Sequence, residues 1–306
     1  MFELTILGTT AGAPTKERGH SAIALKHEGK VYLFDCGENA QRQARIAGIS
    51  LFKINAIFIT HWHADHFAGL IGIIQTMALL ERKEPLYIYG PKPAKIIIET
   101  LRKLDEYAHF AGPIHLGYDL IVKEIESGLV YSGENCIIEA IPSIHSVSGV
   151  SYKFSEKDKP GKFNVKKAKQ LGLKPVQFGE LQRGNNVKVE NKVVKPSDVM
   201  GAPRPGLKIV YSGDTAYNSE MVKFASEVDL LIHEATYTSE LSDQAKEVGH
   251  TTAKEAAEIA KKAKVKNLLL THFSSRYKDT KVFSQEARKI FKNTEVAKDL
   301  MKITLK

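Results

Sequence analysis

The sequence predicts an α/β fold in which strands alternate with helices. Two observations carry this: short apolar or alternating runs of strand length, and longer stretches between them with apolar residues at helical period. A third bears on function, because five of the runs end in a residue able to bind a metal or move a proton. Phe2 to Leu7, Ser21 to Leu25 and Val31 to Phe34 read as half-buried strands, with Gly29 turning the second into the third, and Ala40 to Ala47 reads as a helix. Asn55 to Thr60 runs into His61. Residues 66 to 80 are apolar at Phe67, Leu70, Ile71, Ile74, Met77 and Leu80, which predicts one amphipathic helix. Cys136 to Ile141 leads to His145, and a further strand is expected near 150 to 154. Leu207 to Ser212 leads to Asp214, Asp229 to Ile232 runs into His233 and Glu234, and Asn267 to Thr271 runs into His272. Between the last two, 252 to 263 reads as a helix opened by Thr252 with Glu255 three residues on, a capping box. Rigid strands that each deliver His or Asp just past their end imply convergence at one sheet edge.

Composition limits what else the chain is. With 306 residues, 43% hydrophobic and 26% charged, it has enough apolar mass for a core, which excludes wholesale disorder. No run of 18 apolar residues occurs, and the N-terminal Met1-Phe2-Glu3-Leu4 enters a strand pattern directly, so neither a membrane span nor a secretory leader is expected. Two cysteines, Cys36 and Cys136, make no disulfide framework; they read as small core residues in a reducing, cytoplasmic setting.

The net charge of +9 is unevenly spread. Residues 151 to 200 hold twelve Lys or Arg against five Asp or Glu, leaving only +2 to the rest of the chain. A surplus concentrated in one segment reads as a contact surface for a polyanion such as nucleic acid. The segment also carries Pro160, Gly161, Gly172, Pro175, Gly179, Gly184 and Pro196, with a short helix expected at Asn164 to Leu171. It therefore reads as a protruding arm without a share of the core, set into a single domain spanning 1 to 306.

His61-Trp62-His63-Ala64-Asp65-His66 packs three imidazoles and a carboxylate into six residues. In a loop leaving a strand, His61 and His63 can face one side and clamp one ion, while Asp65 and His66 begin a helix and face a neighbouring position. This donor mixture suits Zn²⁺, with Mn²⁺, Fe²⁺ or Co²⁺ as substitutes. No cysteine stands nearby, which argues against a closed structural zinc site.

At residues 61 to 66 the sequence resembles the metallo-β-lactamase superfamily and its His-x-His-x-Asp-His signature. The resemblance implies an αββα four-layer sandwich with the site at one edge. It also implies two ions, the first held by His61, His63 and His145, the second by Asp65, His66 and His272, with Asp214 bridging. More closely, the chain resembles the ribonuclease Z family along nearly its full length. The resemblance rests on Leu7 to Arg18 with its Pro14-Thr15-Lys16-Glu17-Arg18 loop, on Val31 to Gln41 with Phe34-Asp35-Cys36-Gly37-Glu38, on His233-Glu234-Ala235-Thr236, on Gly249-His250-Thr251-Thr252 and on Thr271 to Tyr277. Gly19 stands where the family loop often has Asn, Thr251 where it has Ser, and Lys174-Pro175-Val176-Gln177 lacks the Gly-Pro pair common in bacterial arms.

The resemblance implies a zinc-dependent endoribonuclease that removes the 3′ trailer of precursor tRNA, acting as a homodimer whose basic arm grips tRNA. It implies that Asp65 accepts the attacking water's proton. His250, partnered by Glu234, would supply a proton to the departing ribose 3′-oxygen. Lys16, Arg18, Lys162, Lys166, Lys167, Arg183 and Arg276 are the expected substrate-contacting cations. Another hydrolase of the same fold, such as a small phosphodiesterase or a glyoxalase II-like thioesterase, is the alternative, since the 61 to 66 motif does not separate them. A non-catalytic RNA-binding protein is disfavoured by the complete ligand set. His20, His27, His109 and His115 read as structural or surface residues, and His233 as a hydrogen-bonded core histidine or a residue shaping the site.

Overall fold

The computed structural model describes residues 2–108 and 116–305, the side chains of 104–108 excepted; His109 and His115 therefore lie outside the described residues. The chain separates into two compact units, one formed by residues 1–133, 137–154 and 208–306, the other by 134–136 and 155–207.

The larger unit is built on two seven-stranded sheets. The first runs in the order Lys302–Leu305, Phe2–Gly8, Ala22–His27, Lys30–Phe34, Ile54–Phe58, Leu86–Gly90, Leu120–Glu124. The second runs Thr294–Val296, Leu268–Thr271, Leu230–Glu234, Lys208–Tyr211, Val150–Glu156, Cys136–Pro142, Gly128–Ser132. Aromatic residues fill the space between the sheets: Phe34 lies 5.9 Å from Tyr152 and 6.4 Å from Tyr211, and Phe2 lies 5.5 Å from Phe154, ring centre to ring centre. On the outer side of the first sheet, Leu33, Ile57 and Ile59 cluster with Leu70, Ile73 and Met77 of the helix Leu70–Leu79. On that of the second, Val210, Leu231 and Leu270 cluster with Ala256, Ala257 and Ala260 of the helix Ala253–Ala263. Helices on the outside and two sheets within make the αββα layering.

Parallel pairing explains why the chemistry gathers at one edge. Lys208–Tyr211, Leu230–Glu234 and Leu268–Thr271 are mutually parallel, with Tyr211 beside Ile232 and Glu234 beside Thr271. Their carboxyl ends therefore open side by side, where loops leave a parallel sheet and ligands bind. The helix Ala253–Ala263 starts as the sequence predicts: Thr252 Oγ1 accepts the Glu255 N–H at 3.2 Å, and Glu255 accepts the Thr252 N–H at 2.9 Å.

One expected helix is two. Residues 66 to 80 break into Ala64–Phe67 and Leu70–Leu79. Gly69 donates its N–H to the Cys36 carbonyl at 2.9 Å, and a Cβ there would sit 2.2 Å from the Gly37 carbonyl oxygen. Close backbone approach to the Cys36–Gly37 turn, a tertiary event, stops the first helix. Among the described residues no helix is long and apolar enough to cross a membrane.

The smaller unit departs from the expectation of a coreless arm. Ala168, Leu173, Leu181, Val187, Val194 and Val199 form a small buried cluster, with Phe163, Phe178 and Val189 packed against it. Apart from Phe163 and Leu173, which stand between elements, these side chains come singly or in pairs from the helices Val165–Gln170, Pro175–Gln182 and Pro196–Val199 and the hairpin Val187–Val189/Lys192–Val194. The Pro and Gly residues delimit very short elements, so no sustained apolar run was needed to build a core. The expected helix at Asn164 to Leu171 is present as Val165–Gln170, with the Asn164 side chain accepting the Lys167 N–H at 2.9 Å.

Candidate metal centre and acid–base pair

Thr60, two residues past the strand Ile54–Phe58, hands the chain to His61, and His63 caps the four-residue helix that carries Asp65 and His66. His145 follows the strand Cys136–Pro142, Asp214 follows Lys208–Tyr211, and His272 follows Leu268–Thr271 with a positive φ of 58°. The structure brings all seven of these residues together. His61, His63 and His145 offer ligand atoms to one point, and Asp65, His66 and His272 to another. Asp214 reaches both sets: its Oδ2 lies 3.6 Å from His61 Nε2 and 3.4 Å from His66 Nε2, and its Oδ1 lies 3.3 Å from His272 Nε2. A tetrahedron with bonds of about 2.0–2.1 Å has edges of about 3.3 Å, so these separations suit donors sharing a cation.

The hydrogen bonds behind the imidazoles decide which nitrogen is bare. His66 Nδ1 donates to Asp35 Oδ2 at 2.7 Å. His145 Nδ1 donates to the Gly249 carbonyl at 2.8 Å. Thr236 Oγ1 donates to Glu234 at 2.7 Å and so accepts from His272 Nδ1 at 2.9 Å. By the same logic Thr60 Oγ1 donates to Asp35 and accepts from His61 Nδ1 at 3.1 Å. With Nδ1 engaged as a donor, each of these four imidazoles turns its Nε2 inward, where it can serve a cation. Two of these nitrogens, on His66 and His272, face each other at 3.2 Å, and the buried Asp214 Oδ1 has no hydrogen-bond partner. Nε2 atoms and carboxylate oxygens converging this closely fit a shared cation.

The electrostatics agree. Burial alone would raise the carboxyls of Asp214 and Asp65, yet the surrounding imidazoles hold both well below the usual range. Burial alone would lower His66, but Asp214 and Asp35 hold it well above its ordinary value. The pocket therefore favours positive charge at its centre. His61 is pushed well below its ordinary value, first by burial and then by His66.

Glu234, wholly buried at a strand end, lies beside this cluster. Its carboxylate accepts from Thr215 N–H at 3.0 Å, Thr236 N–H at 3.1 Å, Thr236 Oγ1 at 2.7 Å and His250 Nδ1 at 2.8 Å. Those donors fix it in place. Burial opposes a charge on His250, but the facing Glu234 and then Asp214 outweigh it and push the imidazole up to about 9. The His250 ring stands 5.0 Å from that of His145 and 5.5 Å from that of His272. A charged imidazole directed over the cluster by a rigid carboxylate is equipped to deliver a proton.

Sequence reasoning missed the groups behind the ligands. Asp35 was noticed only as part of a motif, although it takes hydrogen bonds from Thr60, His66 and Tyr211. Thr60, Thr236 and Gly249 likewise stand in the sequence only as members of a strand run or a motif, with no sign of what they bond. Their partners are distant in the chain, so only the fold reveals them.

The expected substrate-contacting cations are placed differently from one another. Lys16 is exposed. Arg18 is half-buried, and its guanidinium donates to the Tyr277 carbonyl at 2.9 Å and the Ser274 carbonyl at 3.4 Å. Arg276 lies 5.1 Å over the Tyr237 ring and donates to Gln244 at 3.2 Å. In the smaller unit Lys162, Lys166 and Lys167 are exposed, whereas Arg183 pairs with Glu180. His20 is buried with Nε2 at 3.0 Å from the Gly12 carbonyl oxygen, His27 packs against Phe2 and Phe154, and His233 donates Nδ1–H to the Glu234 carbonyl at 2.8 Å. Both cysteines are buried and free, and burial pushes the Cys36 thiol up, as suits a packing residue.

Comparisons with known proteins fall in line with this arrangement. Residues 2–158 match the family model described as anti-Pycsar protein Apyc1, and residues 184–273 match the beta-lactamase superfamily domain. The ribonuclease Z of Methanothermobacter thermautotrophicus is 45% identical, across 100% of this chain and 97% of the relative. That of Methanosarcina acetivorans is 41% identical, across 100% and 98%. The crystal structure of the human short-form tRNase Z superposes with a TM-score of 0.70 at 29% identity, covering 99% of this chain and 98% of that one. Full-length similarity of this order, on a metallo-β-lactamase fold, places the chain in the ribonuclease Z family.

Proposed function

We propose that the chain is an endoribonuclease that removes the 3′ trailer of precursor tRNA by hydrolysing one phosphodiester, leaving a 3′-hydroxyl on the tRNA. The observation that carries this is the meeting of seven inward-facing donors with the Glu234–His250 pair where strands of both sheets end. His61, His63 and His145 would hold one Zn²⁺, Asp65, His66 and His272 a second, and Asp214 both. When bound, such a pair of ions activates water at neutral pH and offsets the charge that develops on the phosphate oxygens.

The chain's own residues do the rest. The Asp65 carboxylate, fixed by the Gly12 N–H at 2.7 Å, takes the proton of the attacking water. His250 gives its Nε2 proton to the ribose 3′-oxygen as the bond from that oxygen to phosphorus breaks. Glu234 holds His250 by Nδ1 and keeps it charged until then. Thr60, Asp35, Thr236 and the Gly249 carbonyl orient the ligands.

Exposed lysines of the 155–207 unit, Lys162, Lys166 and Lys167 among them, would meet tRNA phosphates. Such contacts release counterions and are indifferent to sequence, as suits an enzyme that must accept many tRNAs. Lys16, Arg18 and Arg276 stand on loops of the other unit as further candidates. A homodimer completes this proposal, checked by sedimentation of the purified protein. The function itself is tested by incubating the protein with a precursor tRNA bearing a 3′ trailer and mapping the cut. Cleavage at the trailer junction is expected, and an intact precursor overturns the proposal.

A further inference from the structure

Glu286 sits on the helix Lys281–Ala287 and takes no part in the chemistry above. Its carboxylate nevertheless joins two places far from it in the chain. It accepts the Ser239 N–H at 3.0 Å, the Ser239 hydroxyl at 2.8 Å and the Lys254 N–H at 2.9 Å. Lys254 lies in the first turn of the helix Ala253–Ala263, where N–H groups lack partners within the helix and a negative charge is favoured. Ser239 opens the short helical turn after the strand Leu230–Glu234.

Ser239 and Lys254 are the two roots of one excursion of the chain, and His250 lies on it. Within the excursion, the helix Ser242–Glu247 leads to Gly249 and His250, and the His250 N–H is held by the Ala245 carbonyl at 2.8 Å. Two contacts with the site depend on where this loop lies. The Gly249 carbonyl accepts His145 Nδ1–H, and His250 Nδ1 meets Glu234. The fit is tight, since a Cβ on Gly249 would stand 3.0 Å from His145 Nδ1. Near the roots the Ala253 N–H meets the Tyr237 carbonyl at 3.0 Å and Tyr237 pairs with Thr252, while beside His250 the Thr251 hydroxyl donates to the Thr215 carbonyl.

We propose that Glu286 is a positioning residue for turnover: by pinning Ser239 and Lys254 to one carboxylate, it places the Gly249 carbonyl against His145 and His250 against Glu234 at the same time. The proposal rests on the assignment of His250 as proton donor. Misplacing a reacting group by about 1 Å lowers rate by about 100-fold. Loss of the clamp therefore lowers kcat, while groups that bind tRNA elsewhere are left alone.

The test uses the metal-loaded full chain and three variants, Glu286→Ala, Glu286→Gln and Ser239→Ala, assayed well below their melting temperatures. Glu286→Ala is expected to lower kcat about 10- to 100-fold on precursor tRNA and by the same factor on a small phosphodiester. KM for precursor tRNA and metal content should equal the parent's. Glu286→Gln keeps one accepting oxygen and should recover part of the loss. Ser239→Ala deletes one donor and should show a smaller loss, which keeps the test open if Glu286→Ala does not fold. Unchanged kcat in these variants, even with a lowered melting temperature, overturns the proposal, as does a rise in KM alone. A parent inactive on both substrates brings down the functional assignment and this proposal together, whereas an active parent with unaffected variants brings down this proposal alone.

Discussion

His66 Nδ1 donates to the Asp35 carboxylate at 2.7 Å, and both side chains are wholly buried. The same carboxylate takes the Tyr211 hydroxyl at 2.8 Å and the Thr60 N–H at 2.7 Å. One residue just past the strand Lys30–Phe34 thus fixes the tautomer of His66, steadies Thr60 behind His61, and reaches the strand before Asp214.

Replacing this hub should weaken metal binding without touching a ligand. Asp35→Asn keeps the shape but loses the charge, and is expected to lower metal affinity about 10- to 100-fold. Competition with a chromophoric chelator measures it. Affinity equal to the parent's would show that His66 holds its orientation unaided.

Asp214 lies within 4.0 Å of His61, His66, His145 and His272. Asp214→Ala should empty the centre or halve its content by elemental analysis. Two ions per chain in that variant would refute the bridging role.

The Glu234–His250 pair acts on turnover and not on assembly. His250→Ala should retain bound metal and tRNA affinity while kcat falls about 100- to 10,000-fold, the range of general acid catalysis. Glu234→Gln should lower kcat by a smaller factor, since the imidazole stays in place but loses the charge that favours its proton. Metal lost in parallel with activity in His250→Ala would make His250 a ligand instead.

The 155–207 unit has its own small core. Deletion of residues 156 to 196 should raise KM for precursor tRNA strongly and flatten its dependence on salt, yet spare a small phosphodiester. An unchanged KM would remove this unit from tRNA recognition.

The alternation of strands with helices and the residues at the strand ends were legible in the sequence because both rest on local pattern, whereas the four-layer arrangement and the division of donors between two ions came from the family resemblance. Strand runs ending in His61, Asp214 and His272 announce a common edge, and Thr252 with Glu255 announces a helix start. What was not legible depends on contacts between distant segments. The break at Gly69 comes from the Cys36–Gly37 backbone, and the core of the smaller unit comes from side chains such as Ala168, Leu181 and Val194 on separate short elements. Asp35, Thr236 and Glu286 look like ordinary polar residues until the fold brings His66, His272, Ser239 and Lys254 to them.

The most direct test of a two-ion centre at this sheet edge is a titration of Zn²⁺ into chelator-stripped protein while cleavage of a trailer-bearing precursor tRNA is followed. Activity should be absent at the start, rise with added ion and level off at two equivalents per chain. Full cleavage by the stripped protein, or a plateau at one equivalent, would contradict the account.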